Sequence, residues 1–347
     1  MAREISRRAA DDPRRGARSR LTDVAARAGV STMTVTRVLR QPNKVSPETL
    51  ARVTKALEAV QYVPDLLARA LASRRTGVVA AIVPTLANSL IAEVMQGMSG
   101  AFAAHERQLM VGVSNFSATT EEALVRTFLA RRVDAIYLTG TCQTPATIAS
   151  LRGSGIPVVQ GGNIPDRPID MAVGSSNFVS SRELVACLIE RYGTRMAFIG
   201  GSRTDNDRMN DRRLGFEAAL RESDARPKAA WSLEVPISMQ GGRDGVSSLL
   251  CGRSKPRAIF CANDVIAAGA VFECLRRGAR VPEDIAIAGY DDLEIAGEMT
   301  PGLTTVRIPR FEIGVRAAAM IDAALAGDHP VQRIADMGFE IVQRESA

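Results

Sequence analysis

From Thr76 onward the chain alternates short apolar runs with segments of helical periodicity, and no other feature of the sequence limits its architecture as much. The runs GVVAAIV, LMVGV, AIYL and IPVVQ are separated by helical patterns at 88–104, 120–132 and 144–153. A second series follows: MAFIG, a helical pattern at 209–222, a strand near 233–235, helical patterns at 243–251 and 263–277 on either side of AIFC, and then DIAIAGY. Short continuous runs of Val, Ile and Ala suit strands buried on both faces, and parallel neighbours need a crossover helix between them. Two such series predict two lobes with doubly wound parallel sheets, about 76–175 joined by 308–345 and about 176–307. A ligand crevice is then expected at the carboxyl ends of the strands.

Charge separates the first fifth of the chain from the rest. Residues 1–75 hold 16 Lys+Arg against 7 Asp+Glu, a net of +9, whereas the remainder holds 28 against 31, a net of −3. A basic head on a nearly neutral body is the footprint of a protein that sets one end on a polyanion, nucleic acid in preference to an anionic membrane surface. Arg3, Arg7, Arg8, Arg14, Arg15, Arg18 and Arg20 crowd the first twenty residues without the apolar stretch of a signal peptide, so 1–20 reads as a disordered basic arm. No run approaches the roughly 18 to 20 apolar residues of a membrane span. Five cysteines, Cys142, Cys187, Cys251, Cys261 and Cys274, are odd in number and form no CxxC pair. That argues against a disulfide framework or zinc site and fits a reducing compartment. The expectation is a cytoplasmic, nucleoid-associated protein with no membrane partner, no metal and no cofactor.

The head, 21–63, has its own pattern. In LTDVAARAGVSTMTVTRVLR, Val24, Ala25 and Ala28 mark the inner face of a short helix that Gly29 ends in a left-handed cap. Ser31 then caps a second helix whose Val35, Val38 and Leu39 are expected inward, leaving Thr32, Met33, Thr36 and Arg37 outward. A third helix begins at Ser46-Pro47-Glu48 and carries Leu50, Val53, Leu57 and Val60 as its apolar stripe. Two short helices joined by a tight glycine turn, with a third as buttress, form a helix-turn-helix. Its second helix enters the major groove, so Thr32, Met33 and Arg37 are the base-reading candidates, Arg37 as a bidentate donor to guanine. Thr22, Ser31, Thr34 and Thr36 are placed for phosphate oxygens.

The segments DVAARAGVSTMTVTRVL and YVPDLLARALASRRTG together resemble the lactose-repressor (LacI/GalR) family of bacterial regulators. The resemblance implies that 64–75 is a hinge helix and linker, that Leu71 is a wedge for the minor groove, and that Arg69 lies near phosphate. A wedge of this kind unstacks a base step and bends the duplex. Asp65 departs from the family, which usually has Asn at the start of this helix. For 76–347 the resemblance implies an effector-binding and dimerisation domain like the periplasmic sugar-binding proteins.

Polar residues gather at the expected strand ends, in loops beginning Pro84-Thr85, Gly200-Gly201, Cys261-Ala262-Asn263-Asp264 and Gly289-Tyr290-Asp291-Asp292. The resemblance implies effector contacts at Arg212 of an RxxG-aromatic motif, Asn263 of NDVIAAG and Asp291 of GYDD. Asn88 and Ser89 can serve from the first lobe, although helix capping explains them equally well. Asp264 reads as a fold-supporting carboxylate. AVGSSNF at 172–178 and the long segment 260–290 look most like gluconate-utilisation repressors, which implies a sugar acid, with Arg212 facing its carboxylate. Ser176 departs from the family's usual Asp, and a neutral sugar or a purine is the alternative effector. A carbohydrate enzyme with a DNA-binding head is the rival class. Only His105 and His329 are present, and no GxSxG, HExxH, Walker or GxGxxG pattern organises a nucleophile, metal or phosphate. The expected assembly is a homodimer on a pseudo-palindromic double-stranded DNA operator.

Overall fold

The computed structural model describes residues 20–62, 75–86, 89–202, 204, 206–328 and 332–347. The chain divides into two units, Met1–Arg74 and Arg75–Ala347. Residues 1–19 of the expected arm, residues 64–74 of the expected hinge with Arg69 and Leu71, and Asn88 lie outside the described residues.

The first unit holds α1 (Leu21–Ala28), α2 (Thr32–Arg40) and α3 (Pro47–Ala59). Gly29 ends α1 at φ 62, a left-handed conformation that glycine adopts without steric cost. The Ser31 hydroxyl accepts from the Thr34 N–H at 3.2 Å and starts α2, and Ser46 accepts from Thr49 at 3.4 Å ahead of Pro47 to start α3. Val24, Ala25, Ala28, Val35, Val38, Val53 and Ala56 form the core. Leu39 corrects the expected pattern, for it is 39% exposed. It follows Val38 by one residue, a rotation of about 100° around the helix, so only one of the two faces inward. Arg52 of α3 donates to the carbonyls of Ala28 and Gly29 at 3.0 and 3.3 Å, tying the buttress to the turn.

The second unit is built on two sheets. The first has the order β11-β5-β4-β3-β1-β2, with β1 Val78–Val83, β2 Gln108–Val113, β3 Ala135–Thr139, β4 Val158–Gly161, β5 Met171–Gly174 and β11 Ile334–Asp336. The second has the order β7-β6-β8-β9, with β6 Met196–Gly200, β7 Ser232–Glu234, β8 Ala258–Cys261 and β9 Ala286–Ala288. Every pairing within these two sheets is parallel. The helices that matter for the cleft are α4 (Ser89–Ala103), α5 (Ala118–Ala130), α7 (Asn177–Tyr192), α8 (Asp207–Glu222), α10 (Asp264–Arg276) and α12 (Arg310–Ala326); α6 (Pro145–Ser154), α9 (Met239–Cys251) and α11 (Glu294–Glu298) complete the set among the described residues.

The stretch 308–345, expected whole in the first lobe, is divided. Helix α12 packs on α4 and β11 joins the first sheet. Further on, β12 (Glu340–Val342) pairs antiparallel with β10 (Thr305–Arg307). The Ser346 carbonyl accepts from the Ile287 N–H at 2.9 Å and its hydroxyl donates to the Ile287 carbonyl at 2.7 Å. The tail crosses back because the outer edge of β9 presents backbone groups that need partners.

Helices α4 and α12 meet backbone to backbone. A Cβ added at Gly314 would stand 2.1 Å from the Val94 carbonyl oxygen, and one at Gly97 would stand 2.2 Å from that of Phe311. Gly314→Ala must therefore push the helices apart, and a loss of about 1–3 kcal/mol is expected from the overpacking. Thermal melting checks it; an unchanged midpoint contradicts close packing at this position.

Candidate nucleic-acid interface and ligand cleft

Helix α2 turns a continuous polar face to solvent. Met33 is 71% exposed, and Thr32, Arg37 and Ser31 are exposed beside it; Thr22 is exposed on α1, and Thr34 and Thr36 are half-buried. Several hydroxyls are committed within the protein: Thr36 donates to the Thr32 carbonyl at 2.9 Å, and the Ser31 and Thr34 hydroxyls share a hydrogen bond at 3.0 Å. Met33 is the unusual member, a long apolar side chain held in water at the amino-terminal end of a polar helix. That exposure has no packing benefit within the unit, and apolar contact with a thymine methyl is one way to use it.

In the second unit, three of the residues expected at the effector site come together at the strand ends of the second lobe. Arg212, from α8, donates through Nε to Asn177 Oδ1 at 2.8 Å, through Nη1 to the Ala262 carbonyl at 2.6 Å and through Nη2 to Asp291 Oδ1 at 3.1 Å. Its guanidinium lies 3.6 Å from the centroid of the Tyr290 ring, whose hydroxyl is 2.7 Å from Ser180 Oγ. Asn263 caps α10, accepting from the Val265 N–H at 2.9 Å, and its amide donates to Asp291 Oδ2. All three are buried, with 6, 2 and 3% exposure for Arg212, Asn263 and Asp291. Asp291 adopts φ 111, a region that side chains rarely occupy, in the turn that follows β9. Ser89 stands apart, exposed at the start of α4.

Asp264 supports this floor from beneath. It is fully buried, accepts from the Leu293 N–H at 2.8 Å and the Thr305 hydroxyl at 2.6 Å, and so ties the loop after β9 to a strand of the crossover. Burial pushes its carboxyl up to about 7, and the nearby Asp291 charge adds to the rise.

The lobes also touch through residues that sequence reasoning did not single out. Asn177 donates to the Gly162 carbonyl at 3.0 Å, after β4 of the first lobe. Asp207 Oδ2, at the start of α8, accepts from the Thr141 N–H at 3.0 Å, the Thr141 hydroxyl at 2.7 Å and the Asn163 amide at 3.2 Å. Asn163 also donates to Asp211 at 2.7 Å. Burial alone would raise Asp207, but Arg208 and the hydrogen bonds from Thr141 and Asn163 outweigh it and hold the carboxyl below its ordinary range. Burial raises Asp211, against the pull of Asn163. Glu121 in the first turn of α5 is 8% exposed; burial pushes it up to about 7, with Gln143 and Arg208 opposing and Asp207 reinforcing. One signal was available for Asn163: it follows Gly161-Gly162 at the end of the run IPVVQ, where a strand end on an open parallel sheet belongs to the crevice.

Among the described residues, no helix is long and apolar enough to cross a membrane. Residues 20–65 match the family described as bacterial regulatory proteins, lacI family, and residues 185–347 match the periplasmic binding protein-like domain. The HTH-type transcriptional regulator GntR of Pseudomonas aeruginosa is 34% identical over 330 residues, 95% of this chain and 96% of that protein. The regulator of the same name from Escherichia coli K12 is 31% identical over 321 residues, 92% of this chain and 96% of its own length. Among solved structures, a LacI-family transcriptional regulator from Silicibacter pomeroyi superposes with a TM-score of 0.87 at 30% identity, covering 94% of this chain and 99% of that one. An amino-terminal helix-turn-helix, a two-lobed binding domain and likeness to regulators along nearly the whole length lead to one conclusion: the chain belongs to the LacI family and is a DNA-binding transcriptional regulator, not an enzyme.

Proposed function

We infer that the protein represses carbohydrate catabolic genes, that its effector is a sugar acid of the gluconate type, and that this effector binds between the two lobes and changes operator affinity. The observation that carries the reading is the convergence of Arg212, Asn263 and Asp291 on one buried floor at the carboxyl ends of the second sheet, from which Asn177 carries the bonding on to the Gly162 carbonyl of the first lobe. Similarity to the GntR regulators over more than nine-tenths of the chain supports the sugar acid over a neutral sugar or purine. In this reading the head, 21–63, reads bases with Thr32, Met33 and Arg37 and meets phosphates with Thr22, Ser31, Thr34 and Thr36. The segment 64–75 is the hinge, with Leu71 as the minor-groove wedge and Arg69 near phosphate, and Asn88 and Ser89 lie on the first-lobe side of the effector site. Two copies of the chain address a pseudo-palindrome in the cytoplasm, with half-sites about one helical turn apart.

A thermal-shift comparison of gluconate, neutral sugars and purines tests the effector, because a ligand bound only by the native state raises its stability by about 2.7 kcal/mol at 100 Kd. Gluconate is expected to raise the midpoint; a rise with a neutral sugar or purine alone overturns the sugar acid and leaves the regulator. Arg37→Ala is expected to cost about 1–3 kcal/mol of operator binding and to relax preference at one base position. Retained discrimination between operator and altered operator removes Arg37 from base reading. Arg212→Ala leaves Asp291 buried without its counter-ion, and a loss of roughly 3–5 kcal/mol in stability is expected. Denaturant unfolding checks this, and a variant as stable as the parent contradicts the role of the pair in holding the floor.

A further inference from the structure

Arg212 is the arginine expected to meet an acidic effector, yet its charge is already met inside the protein. Asp291 faces it, Asn177 and Ala262 take two more of its N–H groups, and the Tyr290 ring covers one face. An incoming carboxylate would have to displace an internal counter-ion that is tethered in place and has no association entropy to lose.

Arg208 lies one turn earlier on α8 and is also paired with a carboxylate, Asp207, but fewer of its N–H groups are taken. It reaches the first lobe, where glycines leave room for it: a Cβ added at Gly140 would stand 2.5 Å from its Nη1, and one at Gly162 would stand 3.5 Å from its Cδ. Its hydrogen-bond partner among the described residues is Asp207, at 2.9 Å. The other oxygen of Asp207 is occupied by Thr141 and Asn163. Most of the five N–H groups of this guanidinium are therefore uncommitted.

Arg208 and Asp207 line a small chamber of about 20 Å³, open in part to solvent, with Ser114, Ser117, Glu121, Thr139 and Gln143 of the first lobe. A void of that size holds roughly one or two waters, so it has room for a carboxylate group in their place and not for a whole monosaccharide. Two polar atoms on its wall have no hydrogen-bond partner, Glu121 Oε1 and Thr139 Oγ1. Glu121 is 8% exposed. A buried oxygen left without a partner costs on the order of 1–3 kcal/mol, which a ligand group relieves.

We propose that this chamber receives the acid end of the effector, with Arg208 binding the carboxylate and Glu121, as a neutral carboxylic acid, donating its proton to the carboxylate or to the adjacent hydroxyl. The proposal rests on the sugar-acid reading and names the residues that discriminate an acid from a neutral sugar. The charged groups that share the chamber with Glu121 are Asp207 and Arg208. A ligand carboxylate, Asp207 and an ionised Glu121 would place three negative charges around one arginine, so binding favours the protonated Glu121. Burial already pushes Glu121 up to about 7, and Asp207 helps. Near neutral pH the ligand therefore takes up a proton as it binds. Affinity is highest where Glu121 is protonated and falls as pH rises through about 7.

Calorimetric titration of the full chain with gluconate, at about pH 6 and about pH 8, tests this. The parent is expected to bind about tenfold more tightly at the lower pH, the ratio of the protonated fractions of a group titrating midway. Glu121→Gln, a permanent neutral donor, is expected to keep gluconate binding and lose its pH dependence. Arg208→Gln is expected to weaken gluconate by at least about tenfold in a variant that still melts cooperatively. Gluconate affinity retained in Arg208→Gln, or pH dependence retained in Glu121→Gln, overturns the placement and leaves the sugar-acid reading standing. A parent that does not bind gluconate at either pH overturns the sugar-acid reading and the placement together.

Discussion

A buried ion pair, Arg212–Asp291, is the contact on which the arrangement of the second lobe depends. Its members come from α8 and from the turn after β9, and their remaining bonds reach α7 through Asn177, the end of β8 through Ala262, and the cap of α10 through Asn263. Desolvating two charges is expensive, and the cost is recovered only when every polar atom finds a partner in good geometry. That requirement explains why Asp291 is held at φ 111 and why Tyr290, immediately before it, lies under the guanidinium. A backbone conformation that is disfavoured on its own is kept because the surrounding bonds demand it.

The same pair reaches the first lobe by two routes. Arg310, at the start of α12, donates to the Asp291 carbonyl and pairs with Glu93 of α4 at 3.0 Å. Asn177 connects Arg212 to the Gly162 carbonyl beyond β4. A third connection, Asp207 with Thr141 and Asn163, joins the lobes nearer the chamber. Any ligand that alters the angle between lobes must remake bonds in at least one of these places. Discrete sets of hydrogen bonds, exchanged as a group, are what allows a small molecule to bias one arrangement over another.

The sequence was most legible where periodicity and backbone chemistry act locally. The Gly29 cap, the Ser31 and Ser46 caps and the apolar runs of both sheets follow from φ preference, capping and burial, and each is found where those rules put it. It was least legible where the partner is distant in the chain. The short strands β5, β10, β11 and β12 carry too few residues for a period to register, and the return of the tail to the edge of β9 depends on which backbone groups are left unpaired in three dimensions. In the cleft, Arg212, Asn263 and Asp291 were found through a family resemblance, but that Asp291 neutralises Arg212 follows only from their distance. Arg208 and Glu121 carried no motif; what distinguishes them is a guanidinium with N–H groups to spare and an unpartnered buried oxygen, properties of packing and not of spelling.

In the function proposed above, a ligand held between the lobes alters affinity for DNA. Fluorescence anisotropy of an operator fragment, recovered by selection from randomised DNA and titrated with the full chain with and without saturating gluconate, tests it most directly. A change in operator affinity of roughly 5–150-fold, equivalent to about 1–3 kcal/mol of coupling, is expected. Operator affinity unchanged by gluconate, under conditions where gluconate is shown to be bound, contradicts it.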